Sequence, residues 1–109
     1  DDEKDADRLI MYFSSASGNT QVKKYIDRMK YLLDHLRVRY TMIDISCDRK
    51  QREHMIEASQ SQFKREIPQL FKGDMYLINW PEMQELHERD KLVGFFWRHA
   101  RHVFKTVTT

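Results

Sequence analysis

Apolar residues run without interruption through Leu9-Ile10-Met11-Tyr12-Phe13, the pattern of a strand buried on both faces. A polar loop follows, Ser14-Ser15-Ala16-Ser17-Gly18-Asn19-Thr20, and there the period changes. Val22, Ile26, Met29, Leu33 and Leu36 recur at spacings of three and four, with Lys23, Lys24, Asp27, Lys30 and Asp34 on the other side. This predicts an amphipathic helix over Thr20–Leu36, with Asn19 or Thr20 as N-cap. Val38 to Ile45 reads as a second strand, with Tyr40, Met42, Ile43 and Ile45 as its inward candidates. A strand–helix–strand unit of this length implies a right-handed parallel crossover.

Asp48 opens a second predicted helix reaching Ala58, with Met55 and Ile56 as its buried face. Ser59 to Glu66 reads as a polar loop held by Phe63. Ile67-Pro68-Gln69-Leu70-Phe71 is a short strand entered through a proline, and Lys72-Gly73-Asp74 a turn with glycine where a positive φ costs least. Met75–Ile78 returns antiparallel. Trp80-Pro81 starts a third helix, proline being tolerated in its first turn, with Met83 and Leu86 inward. Lys91–Phe104 is read as a fourth helix whose stripe is Leu92, Val93, Phe96, Trp97, Ala100 and Phe104. The order is βαβαββα plus a C-terminal helix. It divides the chain into an acidic flexible tail (1–8), one domain (9–97) and a basic helical extension (98–109).

The 109 residues suit one compact domain. No apolar stretch is long enough to span a bilayer, and no charged-then-apolar signal peptide opens the chain. The chain starts without Met, as a processed form or a domain cut from a longer protein would. Its net charge of +2 is too small to imply a nucleic-acid partner. One cysteine excludes an internal disulfide and fits a reducing, cytoplasmic setting. Of the histidines, His99 and His102 share a predicted helix face, but no third ligand joins them, so no metal site is expected. The basic stretches Lys23–Arg39 and Arg98–Lys105 read as solvated helix faces.

Element order and residues together resemble one family. Tyr12 to Thr20 with Lys23-Lys24, then Ile43-Asp44-Ile45, Ile67-Pro68-Gln69-Leu70-Phe71, the Gly73 hairpin, Glu82–Glu88 and Val93-Gly94-Phe95-Phe96 look like the SH3-domain-binding glutamic-acid-rich-like family. These are small glutaredoxin relatives without the redox cysteines. The resemblance covers residues 9–97. It implies an α/β thioredoxin-like domain with a four-stranded mixed sheet, acting as an adaptor or regulator without enzymatic activity or cofactor. It also implies that Pro68 follows a cis bond, with the backbone of Ile67 facing the 14–20 loop, and that Ser17 and Thr20 stand where a Cys-x-x-Cys pair would sit. This chain departs from the family in two ways. Arg65-Glu66-Ile67-Pro68-Gln69 contains no P-x-x-P, so SH3 binding does not carry over, and the glutamic-acid-rich tail is missing.

A glutaredoxin nucleophile needs a cysteine at the helix N-terminus, where the dipole and free N–H groups stabilise a thiolate. A serine with no neighbouring base is a poor substitute and forms no disulfide. Redox catalysis is therefore not expected, and Cys47, placed at the start of the second helix, reads as an ordinary residue. An alternative stays open. Ser14, Ser15, Ser17, Gly18, Asn19 and Thr20, with Ile67 and Pro68, could bind a small ligand. That ligand would be a glutathione-like thiol or, because the loop is similar to the flavodoxin phosphate loop, a phosphate-bearing cofactor such as flavin. Against flavin, the second half of the chain offers a hairpin where a flavodoxin needs further βα units. Against glutathione, Asn79-Trp80-Pro81-Glu82 replaces a Gly/Asp-rich carboxylate seat, with Trp80 bulky and Pro81 lacking an N–H. The remaining candidate surface is Trp97, Arg98, Arg101 and Phe104, whose aromatic and arginine composition suits a protein partner or self-association.

Overall fold

The computed structural model describes residues 8–59 and 66–104. The predicted anchor Phe63 and most of the acidic tail lie outside the described residues, as does Lys105. The elements are β1 (Leu9–Phe13), α1 (Thr20–Leu36), β2 (Thr41–Asp44), α2 (Arg49–Ala58), β3 (Gln69–Lys72), β4 (Met75–Asn79), α3 (Trp80–Glu88) and α4 (Leu92–Ala100), then a 3-10 turn over Arg101–Val103. The four strands form one mixed sheet in the order β2-β1-β3-β4. β1 is parallel to β2 and antiparallel to β3, and β3 is antiparallel to β4. This is the α/β, thioredoxin-like arrangement the sequence implied. No helix among the described residues is long and apolar enough to cross a membrane.

The unbroken apolar run of β1 follows from its place inside the sheet. Successive side chains point to opposite faces. Leu9 and Met11 enter a large core with Met29, Leu33, Leu70, Met83 and Phe96, while Ile10 and Tyr12 enter a smaller one with Ile45, Met55 and Phe71. α1, α3 and α4 cover the first face, and α2 covers the second. Three of the four helices start at a side-chain cap. Asn19 caps α1, accepting from the N–H groups of Gln21 and Val22, and Asp48 caps α2 through Gln51. Gly73 takes the positive φ (58°) of the β3–β4 turn.

Three boundaries differ from expectation by two residues or more. β2 starts at Thr41, because Val38 instead forms an isolated antiparallel bridge with Phe104. β3 starts at Gln69, after a bend through Ile67 and Pro68. The fourth helix stops at Ala100 and does not reach Phe104. Ala100 leaves helical geometry (φ −149°, ψ 43°), a 3-10 turn carries Val103 into the core, and Arg39 donates its N–H to the Val103 carbonyl at 2.6 Å. Ala100 and Val103 are 1% and 3% exposed and belong to the main core, while Arg98, His99, Arg101 and His102 stay exposed.

Candidate functional site

The 14–20 loop sits where β1 delivers the chain to α1, and its polar groups are largely satisfied within the molecule. Ser14 Oγ accepts from the Ala16 N–H and Ser17 Oγ from the Asn19 N–H, each at 3.2 Å. Asn19 Oδ1 takes the first free amides of α1, from Gln21 at 2.8 Å and Val22 at 3.3 Å. These are the amides that an anion at the helix N-terminus would need. Thr20 is the first helical residue, and Gly18 has open space where a Cβ would stand.

The partner of this loop is Asp44, at the end of β2. It accepts from the Ser15 N–H at 3.2 Å and the Ser15 hydroxyl at 2.5 Å, and from the Ser46 N–H at 3.0 Å and the Ser46 hydroxyl at 2.6 Å. The Cys47 thiol stands 3.6 Å from the same carboxylate. Hydrogen bonds from Ser15 first, and then from Ser46, hold the Asp44 carboxyl well below the usual carboxylate range. The loop therefore faces a fixed negative charge, which repels a phosphate or a thiolate. Cys47 is exposed, in the turn between β2 and the Asp48 cap, short of α2 itself. Beside the cluster lies an open hollow of about 430 Å³ lined by Ser14, Ile45, Ser46, Arg49 and Arg52.

The Ile67–Pro68 bond is cis, as the resemblance implied. Pro68 is buried, and the Ile67 side chain packs against the smaller core. Among the described residues no hydrogen bond joins either to the 14–20 loop; the antiparallel register, with Tyr12 opposite Gln69, runs this segment alongside the end of β1.

The start of α3 holds a carboxylate of its own. Asn79 and Glu82 form a reciprocal capping box: Asn79 Oδ1 accepts the Glu82 N–H at 3.0 Å and Glu82 Oε1 accepts the Asn79 N–H at 3.2 Å. Glu82 also accepts the Tyr76 hydroxyl at 2.7 Å. Burial of Tyr76 raises its phenol pKa, and its bond to Glu82 raises it further. The expected obstruction by Trp80 does not occur. Its side chain is 3% exposed in the main core, with its ring 6.0 Å from Tyr25. The bulk points inward, and the Glu82 carboxylate stands at the start of α3.

The C-terminal candidates form a surface. Trp97 is 54% exposed, as is Val93 one turn earlier. The Arg101 guanidinium lies over the Trp97 ring, 5.0 Å from its centre, and the Phe104 ring stands 5.8 Å from it. Arg98 is exposed, Phe104 half-buried and Phe96 fully buried. His99 and His102 are exposed, and no group of three or more metal-ligating side chains occurs among the described residues.

Sequence reasoning missed Asp44 and Ser46 as partners of the loop. The available signal was a carboxylate followed by Ser46-Cys47 at the end of a strand, and it does not reveal that Ser15, 29 residues away, closes on it.

The family model described as SH3-binding, glutamic acid-rich protein matches residues 8–98. Solved structures share the fold at low identity. A buckwheat glutaredoxin–glutathione complex is 19% identical, with 93% of this chain and 84% of that chain covered and a TM-score of 0.66. The C. albicans actin interacting protein Aip5 is 19% identical, covering 86% of this chain and 92% of that chain, with a TM-score of 0.65. The holo form of glutaredoxin C1 from Populus tremula x tremuloides is 16% identical, covering 90% of this chain and 92% of that chain, with a TM-score of 0.63.

Proposed function

We propose a function from one premise: the chain belongs to the SH3-binding, glutamic acid-rich protein family. It acts as a non-enzymatic protein-interaction module on a redox-inactive glutaredoxin-like scaffold, in a cytoplasmic setting. The fold is shared by glutaredoxins and by an actin-interacting protein, so it is compatible with either role, and the loop weighs between them. One observation carries the reading. Where a glutaredoxin needs its nucleophile, this chain has Ser17 and Thr20, Asn19 already occupies the Gln21 and Val22 amides, and Asp44 faces the loop. A thiolate has neither a sulfur donor nor a favourable field there. The exposed Trp97, with Arg98, Arg101 and Phe104, is the proposed working surface.

The small-ligand alternative has the hollow beside Arg49 and Arg52 in its favour. Asp44 and the occupied amides oppose a phosphate there, and Glu82 opposes a glutathione carboxylate at α3. The test is a glutathione-dependent disulfide-reduction assay combined with a glutathione titration followed by amide shifts. No turnover above background is expected, Cys47→Ser should leave that background unchanged, and residues 14–20 should not shift. Turnover abolished by Cys47→Ser would overturn the redox-inactive reading.

A further inference from the structure

The surface around Trp97 carries four arginines, and the Asp34 carboxylate near Arg37 accepts from the Tyr40 hydroxyl at 3.0 Å. Arg37 and Arg39 flank Val38, which is bridged to Phe104, and Arg98 and Arg101 flank the exposed indole on the other side. All four arginines are exposed. None of them has an ion pair among the described residues, whereas Arg49 and Arg89 pair with glutamates on their own helices. The two kinds of arginine differ in what remains for a partner. Arg101 lies over the Trp97 ring, and a guanidinium engaged through its face with a ring keeps its in-plane N–H donors for a partner. Such a fork takes a carboxylate with less entropy lost than a freely moving side chain would lose. Val93 supplies an apolar ledge one turn from Trp97.

We infer that the Val93–Trp97–Arg101–Phe104 surface binds an acidic peptide segment, one Asp or Glu carboxylate lying on the Arg101 fork and a neighbouring apolar side chain on Val93 and Trp97. The inference rests on the interaction reading above and names its partner class. Charge complementarity favours an acidic peptide over a nucleic acid. The cations surround a single exposed ring, with no long stripe to track a phosphate backbone, and the whole chain carries only +2.

Three labelled synthetic peptides test this by fluorescence anisotropy on the full chain. One is Glu/Asp-rich with a central Phe-Leu pair, one has each acid replaced by Lys, and one is acidic with Ser in place of Phe-Leu. A single-stranded oligonucleotide and vesicles containing phosphatidylserine serve as competing polyanions. The acidic Phe-Leu peptide should bind the tightest, and its affinity should fall with added salt. Trp97→Ala and Arg101→Gln should each weaken it by about tenfold or more, with melting curves confirming folded variants. Equal binding of the Lys peptide, preference for the oligonucleotide or vesicles, or affinities indifferent to both variants would overturn the inference. Self-association of the same variants is measured by sedimentation. If no peptide binds but Trp97→Ala abolishes self-association, the interaction reading stands and the acidic partner falls. If neither changes, both fall.

Discussion

Phe96 and Trp97 are neighbours in α4 with opposite surroundings, and replacing each by alanine should give sharply different results. Phe96 is fully buried, so Phe96→Ala removes a core ring and leaves a cavity, a change that costs about 3–5 kcal/mol. Trp97 is 54% exposed, so just under half of its surface is withdrawn from water. A tryptophan carries roughly 200 Å², which leaves about 100 Å² buried and, at ~25 cal/mol per Å², an upper bound of about 2.5 kcal/mol. A compact denatured state and the retained Cβ lower this toward about 1 kcal/mol, and losing the Arg101 cation–π contact adds back about 0.5 kcal/mol. Urea denaturation with unchanged m-values should therefore place Trp97→Ala about 1–2 kcal/mol below the parent chain, and Phe96→Ala at least twice as far. Sedimentation and peptide binding should show the reverse order, with Trp97→Ala losing association while most of its stability remains. If Trp97→Ala cost as much stability as Phe96→Ala, Trp97 would be a core ring and the C-terminal surface would lose its anchor.

Three further outcomes follow from particular contacts. The folded value of the Asp44 carboxyl lies below its unfolded one. Its stabilisation of the loop is thus present above the ordinary carboxylate range and lost as pH falls through the depressed value. The Ser15 and Ser46 amide shifts should stay constant through mildly acidic pH and move only in strongly acidic solution, and a transition near the ordinary value, about 3.9, would contradict the clamp. Glu82→Gln removes the charge that the Tyr76 hydroxyl donates to, so an ultraviolet titration should find that phenol ionising at lower pH than in the parent, and an unmoved titration would place the cause in burial alone. Val103→Ala deletes two buried methyl groups at ~0.8 kcal/mol each and leaves a small cavity, so about 2 kcal/mol should be lost in urea denaturation. A loss below about 0.5 kcal/mol would mean that the segment after Ala100 is an appendage, since surface substitutions stay within that range.

Much of the architecture was legible in the sequence because it is written in short-range chemistry. The β1 run is continuous because both of its faces meet a layer, and the α1 period is 3.6 because one stripe meets the sheet. Asn19, Asp48 and Gly73 act within a few residues of themselves, so their roles as caps and turn were readable. What failed was long-range. The apolar stripe from Leu92 toward Phe104 has helical spacing, yet the helix ends at Ala100 because Val103 finds the core and the Val103 carbonyl finds the Arg39 N–H. Trp80 looked obstructive beside Pro81, but the hairpin and α1 present a core large enough to take it.

The candidate site divides in the same way. The residues present at 14–20, and the cysteines absent there, are matters of sequence alone, and with the family's order of motifs they were enough to identify the scaffold and make its usual catalysis unexpected. Which groups those residues meet was decided by the tertiary structure. The parallel crossover sets the end of β2 beside the end of β1, and this puts the Asp44 carboxylate against Ser15. The capping box places Glu82 at the start of α3, and the turn after Ala100 brings Arg101 over an exposed indole. Local composition determines which chemistry each segment can offer, whereas charges, exposure and partners depend on residues far apart in the chain, and only the folded chain brings these together.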